Sequence, residues 1–177
     1  QDLEPGAYSV RLRSNVAAET GLVIAEALAL RLTDDFVDNE LSGISTRSFV
    51  GGDAFTNVSN SSVIVAGTDP ITVVFRGRST SIADSITAAK LSDPQIDVVS
   101  VAGGEVVGTN DNWADAANLD LIDGTSLDPE TVGMDANESI LILQDLEPGA
   151  YSVRVTSAVE GETGLAISEA FAVRDDN

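Results

Sequence analysis

Residues 144–174 read QDLEPGAYSVRVTSAVEGETGLAISEAFAVR, and this stretch indicates the fold class. In AYSVRV at 150–155 every second residue is a large apolar one, a spacing typical of a β-strand with one buried face. Turn signals, Glu-Pro-Gly at 147–149 and Glu-Thr-Gly at 162–164, lie on either side of it. The following GLAISEAFAV at 164–173 again separates large from small residues by parity, which favours a second strand over a short helix.

One charged residue interrupts the pattern of this second strand. Glu169 has the same parity as Leu165, Ile167 and Phe171, the larger apolar residues of the strand. A carboxylate on a buried face needs compensation, because removing a charge from water is costly. We therefore expect either a β-bulge at this point or a buried arginine beside Glu169.

The same segment occurs at the N-terminus. Residues 1–31 read QDLEPGAYSVRLRSNVAAETGLVIAEALALR and match residues 144–174 without a gap, with 22 of 31 positions identical. A repeat of this quality gives the domain plan. We predict an N-terminal β-hairpin at 1–32 that duplicates 144–175, an acidic linker at 33–42 and a β-sandwich domain at 43–177.

The remainder of the chain has the composition of an all-β protein. Short runs rich in Val and Ile are separated by Gly, Asp, Asn and Pro; they are GISTRSFV, SVIVAG, ITVVFRG, QIDVVSV, EVVGT and ESILILQDL. With the two strands above, they predict an antiparallel β-sandwich or jelly roll of about eight strands, with the additional hairpin. Only Ser81–Leu91 and Trp113–Leu121 are long and Ala-rich enough for a helical turn or two, and we expect both to be loops across the ends of the sandwich.

Composition excludes several classes of function. The chain has 29 Asp and Glu against 9 Lys and Arg, a net charge of −20, and neither His nor Cys. We therefore expect no nucleic-acid partner and no membrane insertion, and we expect the chain not to be an enzyme. A carboxylate pair or a dyad at Lys90 are the catalytic options that remain, and no nucleophile-elbow, P-loop or dinucleotide-binding motif is present.

Several stretches resemble a known class of module. ISTRSFVG at 44–51, ITVVFRGRS at 71–79, DPQIDVVSVAGGEVVGTNDNW at 93–113 and ESILILQDLEPGAYSVRV at 138–155 resemble extracellular β-sandwich repeats of secreted and cell-surface bacterial proteins. They are also similar to bacterial pre-peptidase C-terminal type modules. The resemblance implies a non-catalytic module for adhesion, surface layers or appendages. Gln1 in place of Met fits export by a cleaved signal peptide, so we expect an extracellular or cell-surface location.

The duplicated hairpin suggests self-assembly. A two-stranded hairpin is marginal in water and needs a sheet to join, and within one chain its matching position is already filled by 150–174. The leading hypothesis is a structural subunit that forms a filament or pilus-like fibre head-to-tail, by donating the N-terminal hairpin to a neighbour. The donor residues would be Tyr8, Val10, Leu12, Leu22, Ile24, Leu28 and Leu30. The alternative is a module of a surface adhesin array, with residues 1–32 the end of the preceding module.

The sequence offers candidate sites for two ligands, a calcium ion and a glycan. Asn110, Asp111, Asn112 and Asp115 form the densest oxygen cluster in an apparent loop, and oxygen side chains of this kind bind Ca²⁺. A second cluster in the linker, with Asp34 and Glu40 at its ends, is more simply a solvated spacer. No other cofactor is expected. A glycan partner rests only on the sandwich fold and on Trp113, Tyr8 and Tyr151, and the two tyrosines alternate with core residues, which favours their burial.

Overall fold

The computed structural model describes residues 43–51 and 57–173. The chain divides into two units, Gln1–Leu41 and Ser42–Asn177, and the description below concerns the second. The predicted N-terminal hairpin, its seven donor residues and the acidic linker lie outside the described residues. In the described part of the chain, no helix is long and apolar enough to cross a membrane.

The described residues form eight strands, in agreement with the prediction of about eight. They are β1 (Gly43–Val50), β2 (Ser59–Val65), β3 (Ile71–Arg78), β4 (Pro94–Ser100), β5 (Val106–Asn110), β6 (Ser139–Leu146), β7 (Gly149–Ser157) and β8 (Gly164–Val173). All paired strands are antiparallel. Sheet A has the order β1-β8-β3-β6 and sheet B the order β2-β7-β4-β5, and the two sheets pack as a sandwich.

The C-terminal copy of the repeat is not a hairpin. Its two strands, β7 and β8, lie in different sheets, and each is flanked by two neighbours within its own sheet. The chain therefore crosses from one sheet to the other between Ser157 and Gly164. The expectation of a hairpin is wrong for this copy, because alternation and turn residues identify strands without identifying their partners. We call Gly149–Val173 the arch, and β1 to β6 with their connections the body.

The core between the sheets depends on unequal contributions from the two strands of the arch. From β7, Tyr151, Val153 and Val155 are buried in it, whereas β8 contributes only the small residues Ala166 and Ala170. Large residues from the body complete the core, among them Val73, Phe75, Ile96, Val98 and Leu91. The larger residues of β8, which include Ile167 and Phe171, consequently lie on the outer face of sheet A.

A second apolar cluster covers part of that outer face. The connection from β5 to β6, residues 111–138, folds over sheet A and packs Ile122 and Met134 against outward-facing residues of β3 and β6. These are Val74, Ile140 and Ile142. We call residues 111–138 the cover. It is the reason that both faces of β3 and β6 are apolar and that their sequences read as continuous hydrophobic runs.

Short helical turns shape the cover. Trp113–Asp115 and Leu119–Leu121 are single 3₁₀ turns, so the helical expectation for Trp113–Leu121 is partly confirmed. Ser81–Leu91 is a loop made of turns, as expected. A four-residue helix, α1 (Pro129–Val132), was not predicted. Its signal is nevertheless ordinary: the Asp128 side chain accepts a hydrogen bond from the Glu130 N–H at 2.9 Å, and Pro129 occupies the first turn.

Candidate assembly site

The arch is fixed to the body at its turn into β8. The Leu165 N–H donates to the Ala89 carbonyl at 2.7 Å, and Ser79 Oγ donates to the Leu165 carbonyl at 2.5 Å. The same Ser79 hydroxyl accepts from the Leu91 N–H at 2.7 Å, so one buried side chain links β8 to the body. Beside it, a Cβ on Gly164 would lie 2.6 Å from the Leu91 nitrogen. This contact is with backbone, which cannot move aside like a side-chain tip, and it requires glycine at 164.

Glu169 has a buried arginine partner, which is one of the two alternatives that its parity predicted. Arg76 Nε on β3 donates to Glu169 Oε2 at 2.9 Å, and the side chains are only 6% and 9% exposed. Arg78 Nη1 lies 3.9 Å from the same oxygen, and the Arg76 guanidinium carbon lies 4.6 Å from the centre of the Phe171 ring. Burial lowers the pKa of Arg76, and the charge of Glu169 opposes that shift. The pair therefore joins β8 to β3 on the outer face of sheet A.

The connection between β7 and β8 is held by Glu162. Its carboxylate accepts hydrogen bonds from the Ser92 N–H at 3.0 Å and from Ser157 Oγ at 2.5 Å. Burial acts to raise the pKa of Glu162, but these hydrogen bonds outweigh it and the pKa is lowered. At the other end of the arch, the buried Tyr151 donates its hydroxyl to the Glu147 carbonyl at 2.8 Å and stabilises the turn before β7.

The N-terminal copy keeps the residues that make these contacts. Alignment of the two copies places Gly21 at the position of Gly164 and Glu26 at that of Glu169. Glu19, Tyr8 and Glu4 likewise match Glu162, Tyr151 and Glu147. In the C-terminal copy, Gly164, Glu169 and Glu162 contact residues of the body, namely Leu91, Arg76 and Ser92 in that order. The sequence contains one body and two copies of the arch sequence.

The predicted donor residues fall into two groups. By alignment, Tyr8, Val10 and Leu12 match residues of β7 that are buried between the sheets. Leu22, Ile24, Leu28 and Leu30 match residues of β8 that lie on the outer face of sheet A and are partly exposed. Gly21, Glu19 and Glu26 are not among the predicted donor residues, because the alternation of apolar residues does not identify them. Their identity in the two copies was the available signal.

The four residues of the predicted calcium cluster lie at the end of β5 and in the segment that follows it. Asn110 is the last residue of β5, Asp111 and Asn112 follow it, and Asp115 is exposed in the first 3₁₀ turn. Asn110 Oδ1 and Asp111 Oδ1 are buried without a hydrogen-bond donor.

Asp93, just before β4, also has a buried and unpartnered Oδ1 and was not predicted. Burial raises the pKa of Asp93, and the charges of Asp111 and Glu162 add to the shift. Acceptor oxygens without donors suit a hard cation. Within residues 43–51 and 57–173, however, no three acidic side chains are grouped for metal binding. The Asp34–Glu40 cluster lies outside the described residues.

The other candidate side chains have structural contacts. Lys90 Nζ donates to the Thr80 carbonyl at 3.1 Å and to the Ile82 carbonyl. Trp113 Nε1 donates to the Asp135 carbonyl at 3.0 Å, and the ring packs in the outer cluster. Tyr151 is buried, as expected, while Tyr8 is not among the described residues. Lys90 and Trp113 are thus engaged in holding turns and the cover.

Comparison with known proteins gives little further information. No protein-family model matches the chain, and no curated protein matches it significantly. Among solved structures it is similar to the crystal structure of the Yersinia pseudotuberculosis-derived mitogen, with 12% identity and a TM-score of 0.40. That similarity covers 76% of this chain and 89% of the mitogen chain.

Proposed function

We propose that the protein is a non-catalytic structural component of a linear assembly of β-sandwich domains, in which residues 1–31 complete a neighbouring body. The observation that carries the proposal is the mismatch between one body and two arches. Gly164, Glu162 and Glu169 are needed only where an arch meets a body, and all three are identical in the N-terminal copy.

The way in which an arch would be donated follows from the topology. Because β7 and β8 are inner strands of their sheets, a body without an arch has a gap in both sheets at once. A donated arch would fill both gaps and bury residues on each side of the sandwich. This differs from the addition of one strand to a sheet edge, and it would make each link part of a domain core.

Two forms of assembly are compatible with this scheme. In the first, the neighbouring body is on another chain, and chains join head-to-tail into a filament or pilus-like fibre outside the cell. In the structure, the arch at Gly149–Val173 already occupies the body of its own chain. This form therefore requires the N-terminal copy of one chain to replace the C-terminal copy in the body of its neighbour. In the second, the neighbouring body is on the same longer polypeptide, and the protein is a module of a surface adhesin array. The filled body favours the second form, because nothing has to be displaced.

Fragment complementation tests the shared proposal. A polypeptide of residues 33–143, which lacks an arch, would be mixed with a synthetic peptide of residues 1–32. We expect a one-to-one complex with the circular dichroism of a β-sandwich, as with the peptide 144–175 used as positive control. Rescue by 144–175 and not by 1–32 would refute the proposal.

Matched variants of peptide 1–32 test the specificity of that complex. Gly21→Val should abolish binding, because the side chain would meet the backbone at Leu91. Ala17→Glu should leave binding unchanged, because it installs the residue that the C-terminal copy carries at the matching position, Glu160. Equal binding by both variants would show that the peptide does not occupy the arch position.

Electron microscopy of the full chain distinguishes the two forms. Fibres that disappear on deletion of residues 1–32 support assembly of separate chains, whereas the absence of fibres together with positive complementation supports the array. Fibres formed through strand pairing should also persist as salt rises, since salt screens the repulsion between chains of charge −20. Fibres that survive the deletion would contradict donation by this segment.

A further inference from the structure

Within residues 43–51 and 57–173, the outer face of sheet A is only partly covered. The cover packs over β6 and the adjoining part of β3, but the outward-facing residues toward β1 remain accessible. Phe49 on β1 is 53% exposed, and its cross-strand partner Leu165 and the neighbouring Ile167 are only partly buried. We call the residues Arg47, Phe49, Leu165, Ile167 and Arg78 the open face. Exposed aromatic and aliphatic residues grouped on one side of a sheet are typical of an interaction surface.

The open face is also where positive charge collects. The described residues contain five Lys and Arg, and three of them lie on the outer side of sheet A: Arg47, Arg76 and Arg78. In the register, Arg47 and Arg78 flank Ile167 from the two neighbouring strands. Glu169 is the one carboxylate among the outward-facing residues of β1, β8 and β3, and it is already paired with Arg76. Beyond that buried pair the face carries two positive charges, the exposed Arg47 and the largely buried Arg78, on a chain of net charge −20.

The cover has the opposite character. Residues 111–138 contain eight Asp and Glu and no Lys or Arg. Leu121 in the second 3₁₀ turn is 40% exposed, so the cover offers an apolar residue as well as carboxylates. An acidic half with an exposed leucine and a cationic half with an exposed phenylalanine therefore lie side by side on one sheet.

This arrangement is self-complementary. A two-fold axis parallel to the strands, placed between the halves, brings the cover of one copy over the open face of another and repeats the same contact in reverse. We propose that two copies of this chain associate face to face through the outer side of sheet A. The occupant is a second copy because the cover supplies both the negative charge and the apolar residue that the open face lacks. No donated arch is involved in this contact.

Paired surface variants of the full chain test the apolar part of the contact. Phe49→Ser should raise the dimer dissociation constant about tenfold, as expected for an aromatic residue at an interface centre. Ile64→Ser is the matched control, because Ile64 is 63% exposed on β2 of the opposite sheet and should leave the constant unchanged. Any association through residues 1–31 is common to both variants. Sedimentation velocity over a concentration series measures the constant, and equal effects of the two variants would overturn the proposal.

Charge reversal tests the two-fold geometry. Arg47→Glu alone and the double variant Asp120→Lys/Asp123→Lys alone should each weaken self-association, because each homodimer then has two repulsive contacts. An equimolar mixture of the two should recover dimers, because both contacts of the heterodimer become attractive. Native mass spectrometry would identify the heterodimer. Failure of the mixture to recover dimers refutes the pairing, and growth beyond dimers that depends on Arg47 refutes the closed two-fold form.

Discussion

Replacing Glu169 by Gln should be among the most destabilising single changes in the domain. The substitution keeps the shape of the side chain but removes the charge that faces Arg76 Nε at 2.9 Å and Arg78 Nη1 at 3.9 Å. Coulomb's law at an effective dielectric constant of about 20 gives a gross attraction of about 6 kcal/mol at the shorter distance. The cost of desolvating both ions offsets much of this, so the intact pair adds little net stability. Its loss leaves a buried cation without a counterion, which costs about 3–5 kcal/mol.

The structure also predicts the order of effects within this group. Arg76→Gln should cost less than Glu169→Gln, because Arg78 remains near the carboxylate as a second partner. Replacing both ions, with Arg76→Met and Glu169→Leu, should be much less destabilising than Glu169→Gln, since no unpaired charge remains. The more exposed pair of Arg154 and Asp97, 3.7 Å apart with side chains 40% and 28% exposed, is the control, and its loss should cost about 1 kcal/mol.

Urea unfolding measures these differences through the fluorescence of Trp113, the sole tryptophan of the chain. A change in midpoint at constant slope reports stability directly. If Glu169→Gln costs no more than removal of the Arg154 pair, Glu169 is not the buried counterion described here. If the double apolar variant is as unstable as Glu169→Gln, the penalty comes from packing and not from an unpaired charge.

Three further predictions concern the arch and its surroundings. Gly164→Ala should lower stability by about 1–3 kcal/mol in urea unfolding, because its Cβ meets backbone at 2.6 Å, while Gly149→Ala, with its nearest contact at 3.5 Å, should change it by less than about 1 kcal/mol; equal effects would contradict the close approach. If Asp93 and Asp111 hold a calcium ion, about 10 mM calcium should raise the melting temperature by a few degrees, and Asp111→Asn should remove that increase. A melting temperature that neither calcium nor chelator changes would argue against such an ion. Because the folded state lowers the pKa of Glu162, its carboxylate stabilises the fold above the ordinary glutamate pKa, and this stabilisation is lost as pH falls through the lower pKa of the folded state. Glu162→Gln should therefore reduce the decrease in unfolding free energy between neutral and acidic pH. An unchanged decrease would refute this role.

The sequence was sufficient for the strands but not for all of their partners. The six runs rich in Val and Ile and the two strands of the repeat are all strands in the structure, because alternation and turn residues act locally. The connection at 158–163 is short enough for either a hairpin or a crossing between sheets, so the arch could not be distinguished from a hairpin in advance. The decision depends on β1 and β3 pairing with β8, and those strands are distant in sequence.

The sequence predicted a contact of the candidate site only where a buried charge needs compensation. A carboxylate at Glu169 required a bulge or an arginine, and Arg76 supplies the charge from 93 residues away. Asp93 was not predicted, because its link to Asp111 arises only when β4 and β5 pair. The cover was equally hidden. Its few apolar residues are scattered among carboxylates, and only the outer face of β3 and β6 gathers them into a cluster.

The register of β1 with β8 determines how the domain would respond to a mechanical load. Gly43, where the chain enters β1, pairs with Phe171, two residues before β8 ends at Val173. The chain therefore enters and leaves the sandwich at the same end, on adjacent antiparallel strands. Tension between these two points would peel β1 from β8 one residue pair at a time, instead of shearing the eight pairs together. In a series of such domains joined end to end, tension would therefore act on the β1–β8 pairing of each domain. The series would lengthen under a modest force as β1 detaches, before the other strands separate.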